Sequence, residues 1–292
     1  MYVAQANPAV AGPGGRQHVG RAEPEFQIVP FVLTPAEQKE LDEFLVRWEQ
    51  FGSGIKSFEV DFTSWEYDPV SFPGPQPAYS AFGFFKYTAP NRFVYHVEGQ
   101  WVDGKPINGG PKEEKLVIDG DSIFDYQFKS KEVHKYSIAP ELLARGFADS
   151  PLPIIFGAKA DEMKKRFSMK IVTAEDYKGT QVWLQAKPLL IADQQEFLCL
   201  EIRIDKKTLR ATALKKDNIN GKAYTVFVLD KHKINPPFEA IRKFFNPDVP
   251  RDWMLVVKDP PLPQPQEGQP RTANPFPNPV PPPNPGNEIK LY

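Results

Sequence analysis

The sequence predicts a mainly β protein with helices: one large antiparallel sheet, strongly curled, with a few helices on its concave side. Three observations point there. About ten segments of strand composition follow one another with scarcely a helix between most of them. The links between several have hairpin chemistry, at Pro90-Asn91, Asp119-Gly120 and Asn220-Gly221. The stretch GFFKYTAPNRFVYHV puts Phe85 and Tyr87, then Phe93, Tyr95 and Val97, on one face, because successive side chains of a strand point to opposite sides. Phe84, Lys86, Arg92, Val94 and His96 fall on the other. A face so aromatic needs a cover, supplied by the chain's own helices or by a ligand.

The first 27 residues are rich in Gly, Pro, Ala and Gln and too poor in apolar surface to offset chain entropy, which predicts a flexible arm. The arm lacks the apolar run of a signal peptide, although Val3-Ala4-Gln5-Ala6 suits the surroundings of a cleavage site; it reads as a processed or engineered start. Residues 28–259 form one compositionally even domain. Residues 260–292 are a proline-rich tail, PPLPQPQEGQP and then PFPNPVPPPNP, which favours polyproline II and acts as a stiff spacer or a docking peptide.

Within the domain, TPAE starts a helix: Thr34 can cap, Pro35 fits the first helical position and Glu37 completes a capping box. Leu41, Phe44, Leu45 and Trp48 then share one helical face until Gly52 and Gly54 end it. From Ile55 the period becomes two, with Phe58, Val60 and Phe62 alternating against Glu59, Asp61 and Thr63. Further strands are expected at 81–87, 92–98, 115–118, 122–128, 132–138, 169–173, 181–186, 197–205, 209–216 and 223–230. Helical pieces are expected at 140–147, at ADEMKKRF with Met163 and Phe167 apolar, and where Phe238, Ile241, Phe244 and Phe245 recur before Asn246-Pro247.

Composition excludes several functions. The 292 residues are 41% hydrophobic and 25% charged with a net charge of −1, which offers no basic field for nucleic acid, and no apolar run is long enough for a transmembrane helix. Cys199 stands alone, so an intrachain disulfide and a thiolate metal cluster are both excluded. GxSxG, HExxH, Walker and Rossmann patterns are absent, and His18, His96, His134 and His232 are scattered without a second ligand at useful spacing. No catalytic residue, metal or cofactor is implied. Asp119 and Asp121 read as a turn rather than a calcium loop, and Glu59 and Asp61 as carboxylates facing water.

GFFKYTAPNRFVYHV, followed by LVIDGDSIFDY and then SPLPIIFG, resembles the opening half of LolA-like proteins, the periplasmic lipoprotein carriers and their relatives. The matching positions are Gly83, Phe85, Tyr87, Pro90, Phe93 and Tyr95, then Asp119, Gly120 and Tyr126, then Ser150 and Pro151. VWLQAKP, the segment 197–228 and FFNPDVPRDWMLV fit the family's second half more loosely, so the likeness spans about 34–257. It implies an unclosed antiparallel β-barrel whose helix-lidded concave face is a hydrophobic cavity for acyl chains, in a periplasmic, secreted or cell-envelope protein. Lipid or lipoprotein acyl chains are the implied partners, and the tail leaves room for an envelope protein partner. Cavity candidates are then Phe62, Phe85, Tyr87, Phe93, Tyr95, Phe124, Tyr126, Ile155 and Phe156. Ala89 replaces the arginine that typically ties the family's lid shut, so that lock does not carry over. The alternatives are an envelope interaction, lipid-sensing or structural protein with no transport role, in which the cavity is a sensor or the aromatic face is plain core under Trp48, Leu45, Ile155 and Phe156, or an enzyme needing a polar cluster in the cavity that the sequence does not display.

Overall fold

The computed structural model describes residues 28–138, 159–219 and 221–258. The arm, the tail, the expected helix at 140–147, and Ile155 and Phe156 lie outside the described residues. One sheet takes all thirteen described strands: β1 (Ser57–Tyr67), β2 (Tyr79–Thr88), β3 (Arg92–Val102), β4 (Lys105–Asn108), β5 (Glu114–Asp119), β6 (Ser122–Gln127), β7 (Glu132–Ser137), β8 (Phe167–Ile171), β9 (Gln181–Pro188), β10 (Cys199–Asp205), β11 (Ala211–Asp217), β12 (Tyr224–Ile234) and β13 (Met254–Lys258). Their order is β13-β7-β6-β5-β3-β2-β1-β12-β11-β10-β9-β8, with β4 beside the far end of β3. The sheet does not close: β13 and β8 are its two ends. Every pairing among these strands is antiparallel except one, since β13 runs parallel to β7. The uniformly antiparallel sheet read from hairpin chemistry therefore gains a mixed edge, because β13 arrives from a distant segment rather than through a hairpin.

Helix α1 (Pro35–Ser53) begins as its sequence requires. The Thr34 backbone N–H donates to Glu37 Oε2 at 2.8 Å and the Glu37 N–H donates to Thr34 Oγ1 at 3.3 Å, a complete capping box. Glu37 also pairs with Lys170 of β8 at 3.0 Å, which ties the start of the helix to the sheet. Leu41, Phe44, Leu45 and Trp48 are buried, and the Trp48 indole donates to the Leu209 carbonyl at 3.1 Å. These side chains, with Ala160 and Met163 of α2 (Ala160–Arg166), cover Phe58, Val60 and Phe62 of β1 and the apolar face of β8 to β12. Phe167 starts β8 rather than extending α2. The short α3 (Ile191–Gln194) places Asp193 against Arg166, bidentate at 2.6 Å on both oxygens.

The opposite face has its own cover. Helix α4 (Phe238–Ile241) and the 3-10 turn Arg242–Phe245 lay Ile241 and Phe245 over Phe84, Val94, Val117, Phe124, Tyr126 and Val133. The expectation of helices on one side only is corrected: the sheet is apolar on both sides near β2 to β7, and the last helical segment covers the second. Glu59 shares that second face, and instead of meeting water it is held by Lys86 at 3.0 Å and Lys233 at 2.7 Å. Lys86 is itself buried, its Nζ 3.9 Å from the Phe244 ring centroid and 4.5 Å from that of Phe84.

Asp119-Gly120 is a turn, as expected. Gly120 has φ 118°, in the region only glycine adopts easily, and Asp119 Oδ1 accepts the N–H groups of Asp121 and Ser122 at 3.0 and 2.9 Å.

Candidate functional site: an aromatic face beside helix α1

Pairing fixes which predicted residues meet. Phe58 lies opposite Tyr87, Val60 opposite Phe85 and Phe62 opposite Gly83. Across the next ladder Phe85 lies opposite Tyr95 and Tyr87 opposite Phe93. Residues directly opposite one another share a face, so Phe62, Phe85, Tyr87, Phe93 and Tyr95 form one surface continuous with the core under α1. Ring centroids are 4.9 Å apart for Phe62–Phe85, 5.2 Å for Phe85–Tyr95 and 6.3 Å for Phe85–Phe93.

Phe227 of β12 belongs to this set, 5.6 Å from Phe62 and 6.5 Å from Phe85, although sequence reasoning did not single it out. Its signal was present: Thr225, Phe227 and Leu229 alternate with Val226 and Val228, and Leu229 pairs with Phe62.

Two residues fall elsewhere. Val94 pairs with Val117 and Val117 with Phe124, which places Phe124, and two residues on Tyr126, on the face under α4. Tyr126 is buried there, its hydroxyl donating to the Asp248 carbonyl at 2.8 Å and accepting the Asp248 N–H at 3.1 Å. The expectation that both tyrosine-rich stretches share one cavity wall is corrected for Phe124 and Tyr126; their place beside Phe93 and Tyr95 is taken by Ile123 and Ile118. Arg92 is also on the α4 face, as alternation requires, with its guanidinium 5.5 Å from the Phe238 ring centroid.

The aromatic set has a graded burial. Phe62 and Phe93 are buried, whereas Phe85, Tyr87 and Tyr95 are half-buried. These three touch two separate apolar clusters: the one under α1, and a smaller one around Phe93, Ile118 and Ile123 whose other described members, Leu116, Tyr136 and Ile138, all lie on or just beyond the strands. They bridge a helix-covered region and a region that, among the described residues, is built from the sheet alone.

Electrostatics sharpen one end of the surface. Burial, then the nearby Glu114 and Glu66, push the Tyr95 hydroxyl well above its ordinary value, and burial raises that of Tyr87. Both are neutral hydrogen-bonding groups at any physiological pH. Glu114 is itself pushed up, first by burial and then by Asp125. Glu66 pairs with Lys112, whose Nζ lies 4.8 Å from the Tyr79 ring centroid. The surface thus runs from an apolar end at Phe58 and Tyr87 to a polar end at Glu66, Tyr79 and Glu114. Among the described residues no group of three His, Cys, Asp or Glu side chains could hold a metal, and no helix is long and apolar enough to cross a membrane.

A mainly β protein with one unclosed sheet and an aromatic face flanked by a helix is the class this geometry defines. No family model matches the sequence, and no curated protein matches it. Among solved structures the chain is similar to an uncharacterized conserved protein from Thermus thermophilus, at 10% identity over 74% of this chain and 98% of that one, with a TM-score of 0.43. It is similar also to a putative outer membrane lipoprotein-sorting protein domain from Vibrio parahaemolyticus, at 8% identity over 71% and 95% of the two chains and a TM-score of 0.34. A LolA superfamily protein from Nitrosomonas europaea matches at 8% identity over 71% and 98%, with a TM-score of 0.32. At such distances these likenesses carry no function across.

Proposed function

We propose that this chain is a non-enzymatic binder or carrier of an apolar ligand, the acyl chain of a lipid or lipidated protein, and that Phe85, Tyr87 and Tyr95 with Phe62, Phe93 and Phe227 form its contact surface. The observation that carries the reading is the half-buried state of Phe85, Tyr87 and Tyr95, which join two buried clusters on one face. Rings left half-buried in so apolar a surface are where an alkyl chain would complete the packing. Burying a methylene gains about 0.8 kcal/mol, so roughly a dozen gain on the order of 10 kcal/mol before ordering costs. Release would then require a better acceptor. The sequence resemblance supports a place in the bacterial cell envelope.

The test is native mass spectrometry with lipid extraction on protein purified gently from a bacterial host. A stoichiometric co-purifying lipid, lost in a folded Phe85→Asp, Tyr95→Asp variant and kept in Tyr126→Phe, supports the proposal and identifies the ligand class. Protein that stays empty when offered acyl ligands overturns it and makes the aromatic face plain core of an interaction protein.

A further inference from the structure

On the α4 face, at the end of β1 to β3 away from the α4 segment, an open groove of about 450 Å³ is lined by Thr63, Trp65, Ser80, Trp101 and the Asp103-Gly104 turn. Register explains it. Trp65 lies opposite Ser80, and since Ala81 lies opposite Gln100, Ser80 lies beside Trp101 on the same face. Two indoles therefore stand on strands two apart, about 10 Å at ordinary strand spacing, with a serine between them. The next row deepens the slot: Gly99 has no side chain, and Phe82 leans over it to meet Trp101 edge-on at 5.7 Å, away from Thr63. Trp101 is 37% exposed. The Ser80 hydroxyl already donates to the Trp101 carbonyl at 3.2 Å, and neither indole N–H of Trp65 or Trp101 has a hydrogen-bond partner among the described residues.

Aromatic walls on two strands, indole donors unpaired among the described residues and a small hydroxylated floor are what a polyproline II segment needs. Proline rings fill the slots between aromatic rings, and the carbonyls, which have no N–H of their own to satisfy them, accept from the indoles. We propose that this groove takes the chain's own proline-rich segment 275–285, PFPNPVPPPNP.

The chain's length allows it. Residues 259–292 lie outside the described residues and follow directly on β13. Lys258 sits in the row of Tyr136, Ile123, Ile118, Phe93 and Tyr87. From there the groove is five strands across, about 24 Å, and seven residues along β2, about 24 Å, a diagonal of about 34 Å. Sixteen residues, 259–274, can reach up to about 50 Å at the rise of a polyproline II chain, enough with slack. A tether of this kind holds the segment at an effective concentration of roughly a millimolar, so a modest intrinsic affinity fills the groove.

The experiment uses the full chain labelled with 5-fluorotryptophan and observed by fluorine NMR, each resonance assigned by a Trp→Phe variant. Replacing Pro279, Pro281, Pro282 and Pro283 by serine is expected to shift the Trp65 and Trp101 resonances by more than their linewidths, while buried Trp48 stays in place and certifies the fold. Trp65 and Trp101 resonances that ignore the tail substitutions overturn the proposal. A shift that appears only as protein concentration rises, together with a dimer, also overturns it and gives the groove to a second copy's tail.

Discussion

Phe62 and Tyr95 stack across an intervening strand, their ring centroids 5.7 Å apart and their planes 16° from parallel, in the space above Gly83. A Cβ on Gly83 would lie 2.8 Å from Phe62 Cζ and would collide with the His96 carbonyl oxygen. The glycine is thus a packing requirement of the aromatic face: it lets a ring from β1 reach a ring from β3.

Gly83→Ala is expected to destabilise the protein by about 2 kcal/mol, the cost of overpacking a filled site. Urea unfolding followed by far-ultraviolet circular dichroism reads the fall in midpoint. An unchanged midpoint would mean that the β3 backbone at His96 yields along with the Phe62 ring.

Glu59 and Lys86 form a shielded ion pair, with side chains 13% and 6% exposed. Glu59→Gln leaves the Lys86 ammonium without its counter-charge between two phenylalanines and is expected to cost about 3 kcal/mol. The double variant Glu59→Met, Lys86→Met should recover most of that loss, because it removes both desolvated charges. A double variant as unstable as the single one would refute this account of the pair.

The His96 imidazole is held down at about 4, first by burial and then by Lys115, and its Nε2 is buried without a hydrogen-bond partner among the described residues. The unfolded chain therefore takes up a proton near pH 6.5 that the folded chain refuses until about pH 4. Stability should be full above pH 6.5 and fall on acidification across that window, by on the order of 2 kcal/mol. His96→Phe should flatten the profile there. Equal pH slopes in both proteins would rule out His96 as the source.

Tyr126→Phe removes both bonds to the Asp248 backbone and is expected to cost about 1–2 kcal/mol. Hydrogen exchange should quicken around residues 246–250 while the protection of β1 to β3 on the aromatic face holds. Acceleration in β1 to β3 instead would mean that the two faces are not independent.

Much of this was legible in the sequence, and the failures are physical. The capping box at Thr34 and Glu37 and the burial of Leu41, Phe44, Leu45 and Trp48 follow from local rules that tertiary context did not override. Alternation sorted Phe85 from Phe84 correctly, but it cannot say which set of β6 joins which set of β3. In Ser122-Ile123-Phe124-Asp125-Tyr126 both sets carry large apolar residues, and only the pairing of Val117 with Phe124 decides. β4, Lys-Pro-Ile-Asn, is too short and polar to announce itself, and β13 pairs in parallel with a strand more than a hundred residues earlier. A buried lysine has no signature in a single sequence, since Lys86 reads like any solvated strand residue until Phe84, Phe244 and Glu59 surround it.

The register at the centre of the sheet bears on how the chain acquires its shape. β1 pairs with β12, Asp61 meeting Asp230, whereas most other ladders join strands that are neighbours in sequence. The hairpins on either side can form from local contacts as the chain is made, but the seam that joins them must close a loop of nearly the whole domain. It is expected to be the slow step, and until it closes the edges of β1 and β12 stand open to pairing with other chains.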